Sequence, residues 1–386
     1  MKLNKDSKES DSRDLANLEA EEWFAAHDSA SGVVLESIVI GAGQSGLAAA
    51  YELKRRGIDF VVLDSNASAG GAWQHRWDSL TMKDVHGVAD LPGSVAPESS
   101  DERANQAVPA YFTRYEQEHS LPVLRPVRVF SVENMDNNLL VQTSVGNLFT
   151  QTLVNATGTW ERPFVPHYLG AETFTGEYFH ISSYPGPDAL AGKRVLVVGG
   201  GASAVQFLGE LAHHSKLVWT TRREPQWLQE TFDGLKAVEW VEKRAVSGMA
   251  PASVVSSTGL FLRPQEQYAK KQGVYDQRRS MFERIEPTGV RWSNGDFEEV
   301  DVILWATGFR SDILHLNPLH LRSVQGGIAL ERVPGDVQAA TTAVADSRVQ
   351  LVGYDPSAST IGARHAARHA ATVVEKRVKL QRNGGK

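Results

Sequence analysis

Two strand–glycine turn–helix–strand units constrain this chain more than any other feature. The first runs from Ser37 to Asp64 (SIVIGAGQSGLAAAYELKRRGIDFVVLD) and the second from Gly192 to Arg223 (GKRVLVVGGGASAVQFLGELAHHSKLVWTTRR). In the first, Ile38, Val39 and Ile40 read as a strand, apolar at successive positions as a buried parallel strand is. Leu47 to Arg56 reads as a helix, which Gly57 is placed to end, and Ile58 to Leu63 as a second strand closing on Asp64. Gly41 permits the tight turn, Gly43 lets the backbone approach a pyrophosphate, and Gly46 lets helix and strand pack closely. Gln44 and Ser45 lead into the helix, whose N-terminus offers free N–H groups and partial positive charge to phosphates. Asp64, about 20 residues on, can accept from ribose hydroxyls. The implied fold class is α/β, with two Rossmann-like dinucleotide-binding domains.

The second unit repeats the plan and ends differently. Val195 to Val198 is the strand, Gly199, Gly200 and Gly201 the turn, and Ala202 to Ala212 the helix, with Ser203 in its first turn. Ala204 stands where a third glycine would, a replacement the fingerprint permits. Lys216 to Thr221 is the next strand. Where an NAD site would carry a carboxylate, Arg222 and Arg223 follow. A guanidinium can pair with a 2′-phosphate that a carboxylate would repel, so the nicotinamide expected is NADPH, held by Arg222 first and Arg223 second. The Thr221 hydroxyl is a further candidate for that phosphate.

Composition excludes several chemistries. At 386 residues the chain suits two domains, and its 41% hydrophobic and 22% charged content is that of a globular protein. It contains no cysteine, so disulfide reductase and thiolate chemistry are closed to it, as are cysteine-held metals and clusters. The histidines show no metal-ligand spacing; His213 and His214 diverge on a helix, and His365 and His369 lack an acidic third ligand. A net charge of −6 gives no nucleic-acid footprint. No apolar run of about 18 residues predicts a membrane span. The opening MKLNKDSKESDSRD has no apolar secretory core, so a cytoplasmic protein is expected. Leu15 to Ala26 reads as an amphipathic helix that docks on the first domain or on a partner.

Between the two units lies FTGEYFHISSY, Phe174 to Tyr184, with the pattern F-x-G-x-x-x-H-x-x-x-Y at Phe174, Gly176, His180 and Tyr184. Gly70, Gly71 and Trp73 form a Gly-Gly-x-Trp run, followed by Arg76 and Trp77. Ala-Thr-Gly occurs twice after strand-like runs, as Ala156-Thr157-Gly158 and Ala306-Thr307-Gly308. With the two glycine loops, these residues resemble the class B flavin-dependent monooxygenases, which include flavin-containing and Baeyer–Villiger monooxygenases. The resemblance spans about Ser37 to Val374. It implies tightly bound FAD on the first loop and NADPH on the second, with the NADP domain inserted into the FAD domain.

On that resemblance the divisions are an N-terminal extension (1–36), the FAD domain (37–160 and 305–386) and the NADP domain (161–304). The two Ala-Thr-Gly segments then mark the crossings between domains. Trp73 and Arg76 belong to the flavin side, while Trp77 either joins them or packs in the core. Asp355 would contact the ribityl chain, with Thr360 and Ile361 near the flavin ring. His180 is the one candidate catalytic side chain, a marker of the class before it is a chemical group. The implied reaction is transfer of one atom of O2 to a small substrate through a flavin C4a-(hydro)peroxide. Tyr184 favours nitrogen or sulfur as the acceptor; Pro185 is shared with enzymes that act on ketones. An NADPH oxidase or flavin reductase and a non-catalytic redox sensor are the alternatives, because residues 81–108 do not reproduce the active-site stretch of the class. A homodimer is compatible with all of these. Finally, GVRWSNGDFEEVDVIL reads as a hairpin, with Asn294 and Gly295 supplying positive φ angles.

Overall fold

Two parallel sheets, one interrupting the other in sequence, organise the protein. The computed structural model describes residues 20–85, 88–227, 234–251, 260, 262–358 and 360–384. The chain enters through helix α1 (20–27) into β1 (Val34–Ile40), α2 (Gln44–Arg55) and β2 (Phe60–Leu63). Helix α3 (Ala104–Glu118) and β3 (Val123–Leu124) follow, then a meander of β4 (Val129–Met135), β5 (Asn138–Thr143) and β6 (Asn147–Asn155). In the first sheet β3, β2, β1 and β6 lie side by side and parallel, and β5 and β4 extend from β6 in antiparallel pairing.

The chain then builds a second, all-parallel sheet. Its strands are β7 (Glu177–His180), β8 (Arg194–Val198), β9 (Lys216–Thr221), β10 (Arg279–Ser280) and β14 (Val302–Trp305), in the order β10-β9-β8-β14-β7. Helices α4 (Ala202–Leu211), α5 (Gly234–Val246) and α6 (Gln267–Lys271) lie between them in sequence. A small antiparallel sheet of β11 (Arg284–Glu286), β12 (Gly289–Arg291) and β13 (Phe297–Glu299) precedes β14. Strands β15 (Thr342–Ala343) and β16 (Asp346–Leu351) return to the first sheet, where β16 pairs parallel to β6. Helix α7 (Thr360–Gly384) closes the chain. The second dinucleotide fold is therefore inserted into the first.

The cores explain the element choices. Val39 and Val62 are fully buried, as expected of strands covered on both faces. Ala48, Ala49 and Ala50 of α2 share a buried cluster with Ala366, Ala367, Ala370 and Ala371 of α7. Small side chains on both partners let the two helices approach closely. Ala20 and Phe24 of α1 pack with Leu35, Val141 and Leu148, so this end of the expected N-terminal helix docks on the first sheet; residues 15–19 lie outside the described part. Helix α2 begins three residues earlier than its apolar pattern suggested, because Gly43 is its N-cap. In the β12–β13 hairpin, Arg291 pairs with Phe297, leaving a wider loop than a two-residue turn. Within it Gly295 alone takes a positive φ, of 90°; Asn294 instead uses its side-chain carbonyl to accept from Asp296 N–H at 3.1 Å.

Residues 81–108, which match no pattern in the sequence, are organised by side chains of α3. Tyr111 Oη accepts from Leu91 N–H at 2.9 Å and donates to Ser94 O at 3.0 Å. Tyr115 Oη donates to Pro92 O at 2.8 Å. Residues 86–87 are outside the described part. Among the described residues no helix is long and apolar enough to cross a membrane.

Candidate active site

Each glycine of the first loop has a separate physical role. Gly41 has φ 97°, and a Cβ there would lie 2.7 Å from Ala156 O. A Cβ on Gly46 would lie 1.8 Å from Gly41 O, so this glycine is required for the turn and helix to fit together. Gly43 differs: a Cβ on it would meet nothing nearer than the Gly71 Cα, at 4.0 Å. No side chain caps α2 at Gly43, so the first N–H groups of the helix are open to a ligand. A cavity of about 300 Å³ lies over this turn and is lined by Gly41, Gly43, Gln44, Ser45, Gly71 and Trp73. Asp64, Arg76, Ala156, Thr157 and Gly158 share that wall, whereas Gly46, Ala306, Thr307, Gly308 and Asp355 do not line it. This is the chemistry FAD requires: open amides for a pyrophosphate and a carboxylate for a ribose.

Asp64 is buried and already has partners. Its Oδ1 accepts from Asn66 N–H and Asn66 Nδ2 at 3.1 and 2.9 Å. Arg125 lies 3.3 Å from Oδ2 and makes a two-pronged contact with Glu116 at 2.8 and 2.6 Å. Arg125 and Glu116 come from distant elements and carry no sequence pattern that marks them. The same is true of His315, whose Nε2 donates to Asn155 Oδ1 at 2.6 Å on the cavity wall. Burial pushes the His315 pKa down to about 4, so its ring is neutral at pH 7.

Gly70 and Gly71 allow the next segment to press against the glycine turn. Their φ angles are 130° and 51°, and a Cβ on Gly71 would lie 2.9 Å from Gly43 Cα. The short 3-10 helix Gly71–His75 then presents Trp73 and Arg76 to the cavity. Trp77 points elsewhere: it is buried against Phe207 at 4.8 Å and Tyr184 at 5.9 Å, which settles its two readings in favour of the core.

The second loop repeats the first. Gly199 has φ 145°, and a Cβ there would lie 2.2 Å from Ala306 O, just as Gly41 abuts Ala156. Gly201 is the uncapped N-cap of α4, and a Cβ placed on it would have nothing within 4 Å. Ala202 and Ser203 open α4, and Ala204 is fully buried behind the turn. Arg222 and Arg223 are exposed at the end of β9. Thr221 is buried, its hydroxyl donating to Arg223 O at 2.6 Å and accepting from Arg278 Nη1 at 3.1 Å. That hydroxyl is thus occupied, and Arg278, which no sequence pattern marks, also pairs with Glu224 at 3.0 Å.

The two Ala-Thr-Gly segments clasp one another. Gly158 and Gly308 both have positive φ, of 64° and 79°. Asp312 N–H donates to Gly158 O at 2.9 Å and Phe164 N–H to Gly308 O at 3.0 Å. The Thr157 hydroxyl donates to Asp312 O, and the Thr307 hydroxyl to Phe164 O. Each crossing therefore uses its threonine to hold the chain next to the other crossing. His180, buried at the end of β7, joins this clasp: its Nδ1 accepts from Ser182 N–H at 3.2 Å and its Nε2 donates to Gly308 O at 3.0 Å. It does not line the cavity. Gly353 and Ala358 do, flanking Asp355, which is buried with φ 45°. Thr360 begins α7; the side chains of Thr360 and Ile361 lie outside the described part.

Residues 38–328 match the family model described as pyridine nucleotide-disulphide oxidoreductase, and the chain belongs to that family. Within it the chain is a class B flavin-dependent monooxygenase, an oxidoreductase using FAD and NADPH. The solved structure of a flavin-containing monooxygenase from Stenotrophomonas maltophilia is 35% identical, with a TM-score of 0.75 over 89% of this chain and 99% of that one. An uncharacterized oxidoreductase, CzcO, from Bacillus velezensis is 27% identical over 75% of this chain and 84% of its own length. An indole-3-pyruvate monooxygenase, YUCCA1, from Oryza sativa subsp. japonica is 28% identical over 72% of this chain and 77% of its own length. The absence of cysteine removes the disulphide half of the family's chemistry from this member.

Proposed function

We propose that this protein transfers one oxygen atom from O2 to a nitrogen or sulfur atom of a small organic substrate, consuming NADPH. The observation that carries the reading is the repeated pair of open glycine turns, Gly43 and Gly201, joined through the Thr157 and Thr307 clasp. Such a clasp fixes one nucleotide site relative to the other, which hydride delivery from NADPH to FAD needs. We assign residues 37–160 and 305–386 to FAD, 161–304 to NADPH, and the preceding segment to a docked extension. Bound FAD supplies the redox and oxygen-activating chemistry, and the protein supplies placement and exclusion of water.

In this reading the amides above Gly41–Gly46 hold the pyrophosphate of FAD, and Asp64 the adenosine ribose. The amides of Gly201 and Ala202 hold the pyrophosphate of NADPH, and Arg222 with Arg278 its 2′-phosphate. Trp73 walls the flavin end of the cavity. His180 keeps the clasp closed, and we assign it a positioning role. Nitrogen or sulfur is the acceptor because the linker pattern ends in Tyr184.

The test is a single-turnover experiment under 18O2, with holoprotein reduced by NADPH and methyl phenyl sulfide as the acceptor. One labelled oxygen in the sulfoxide supports the reading. Peroxide with no labelled product would make the protein an oxidase, and labelled ester from a ketone but no sulfoxide would make it a Baeyer–Villiger enzyme.

A further inference from the structure

Arg76 is a half-buried cation without a counter-charge among the described residues. Its guanidinium lies 4.6 Å from the ring centre of Trp160, 5.5 Å from Trp73 and 6.0 Å from Trp77. These rings hold the group in place through its face. Its Nε is buried and has no hydrogen-bond partner. The carboxylates that share the cavity wall are engaged or distant. Asp64 is paired with Arg125 at 3.3 Å and Glu161 with Arg128 at 3.7 Å, while Asp312, on the same wall, makes no ion pair with Arg76. Burial lowers the Arg76 pKa to about 10, which still leaves it charged at pH 7. A partly desolvated charge is costly without a partner, and an anion bound in the cavity would supply one.

The cofactor charges have receivers elsewhere. Open helix amides at Gly43 and Gly201 suit the two pyrophosphates, and Arg222 with Arg278 suits the 2′-phosphate. Arg76 remains, on the cavity wall, with Trp160 stacked on Phe309 at 5.0 Å beside it. We infer that Arg76 binds the carboxylate of an organic-acid substrate, with its apolar body against the aromatic wall of Trp73, Trp160 and Phe309. A guanidinium with free N–H groups receives a carboxylate in two-pronged fashion, which a lysine cannot do.

This inference rests on the monooxygenase reading, and its test separates the two. The probes are (phenylthio)acetate and its neutral methyl ester, which share the sulfur and differ in charge. In the oxidised holoprotein, with no NADPH, titration with (phenylthio)acetate should perturb the flavin spectrum saturably. Arg76→Gln should weaken that binding roughly tenfold to hundredfold, the scale of a charged hydrogen-bonded contact, and leave the ester unchanged. Arg76→Lys should fall between. During turnover the same variants, compared at matched FAD occupancy because Arg76 lines the cavity assigned to FAD, should raise KM for the acid and not for the ester. Equal weakening of acid and ester overturns the proposal. A folded Arg76→Gln protein that purifies without FAD also overturns it and assigns Arg76 to the cofactor phosphates. If the acid binds in an Arg76-dependent way and no substrate is oxygenated, the carboxylate site stands and the monooxygenase reading falls.

Discussion

His180 Nε2 donates to Gly308 O at 3.0 Å, tying the end of β7 to the second crossing. The ring also meets Phe309 edge-on, with centres 4.9 Å apart, and burial lowers its pKa against a smaller opposing effect of the Gly308 contact. Both nitrogens are thus engaged by backbone, and the neutral tautomer with a proton on Nε2 is the one that satisfies them. His180→Ala should cost about 1 kcal/mol by removing one of the two donors to the Gly308 carbonyl, which keeps the Phe164 N–H. His180→Gln, whose amide can replace that donor, should recover part of the loss. Thermal melts check the stability. A pH profile of kcat should keep its shape in His180→Gln; loss of one limb with a normal melt would make His180 an acid–base catalyst after all.

His315 gives the protein an acid sensitivity. Its pKa falls from an ordinary 6.5 to about 4 on folding, because burial disfavours the charged ring. The unfolded chain therefore takes up a proton that the native state refuses. The full stability contribution is present above about pH 6.5 and is lost as pH falls toward 4. The total effect is on the order of 3 kcal/mol. His180 and His369, also lowered by burial, act in the same direction. Melts at fixed FAD should show Tm dropping across this window, and His315→Gln should flatten the drop. An unchanged slope in that variant would remove His315 as its cause.

At the second loop, Arg222→Ala should raise the KM for NADPH roughly tenfold or more and leave that for NADH nearly unchanged. Arg278→Ala should act in the same sense and add a second effect. Arg278 also holds Glu224 at 3.0 Å, so its loss frees an acidic group near the phosphate position. Steady-state kinetics with both nucleotides decide the matter. Equal losses for NADPH and NADH would disconnect these arginines from the 2′-phosphate.

The sheets and glycine turns were legible in the sequence because local chemistry sets them. A strand buried on both faces shows as an apolar run such as Val195–Val198, and a glycine with no room for Cβ, such as Gly46, is a requirement of the turn itself. The resemblance singled out the two Ala-Thr-Gly segments, and in the structure the carbonyl of Ala156 or Ala306 presses against Gly41 or Gly199. What stayed hidden depends on partners far apart in sequence. Arg125 reaches Asp64 across 61 residues, His315 reaches Asn155 across 160, and Arg278 reaches Thr221 across 57. Trp77 was ambiguous because an aromatic beside a flavin loop and an aromatic in a core look alike until Phe207 and Tyr184 are seen around it.

The contrast among the glycines gives a test in which ligand loss and misfolding separate. At Gly43 the backbone is extended, with φ −82° and ψ −170°, so an L side chain fits the conformation. A Cβ there has no atom nearer than 4.0 Å. Gly43→Val should therefore fold with a near-normal melt and purify colourless, because the side chain occupies the space over the helix amides. Gly46→Val should not fold stably, since its Cβ would sit 1.8 Å from Gly41 O. Gly201→Val, at φ −100° and with nothing within 4 Å of a Cβ, should keep FAD and its yellow colour yet fail to be reduced by NADPH. Absorbance at the flavin band, circular dichroism melts and anaerobic reduction separate the three outcomes. Stoichiometric FAD in Gly43→Val would dislodge FAD from the first loop, and normal reduction of Gly201→Val would dislodge NADPH from the second.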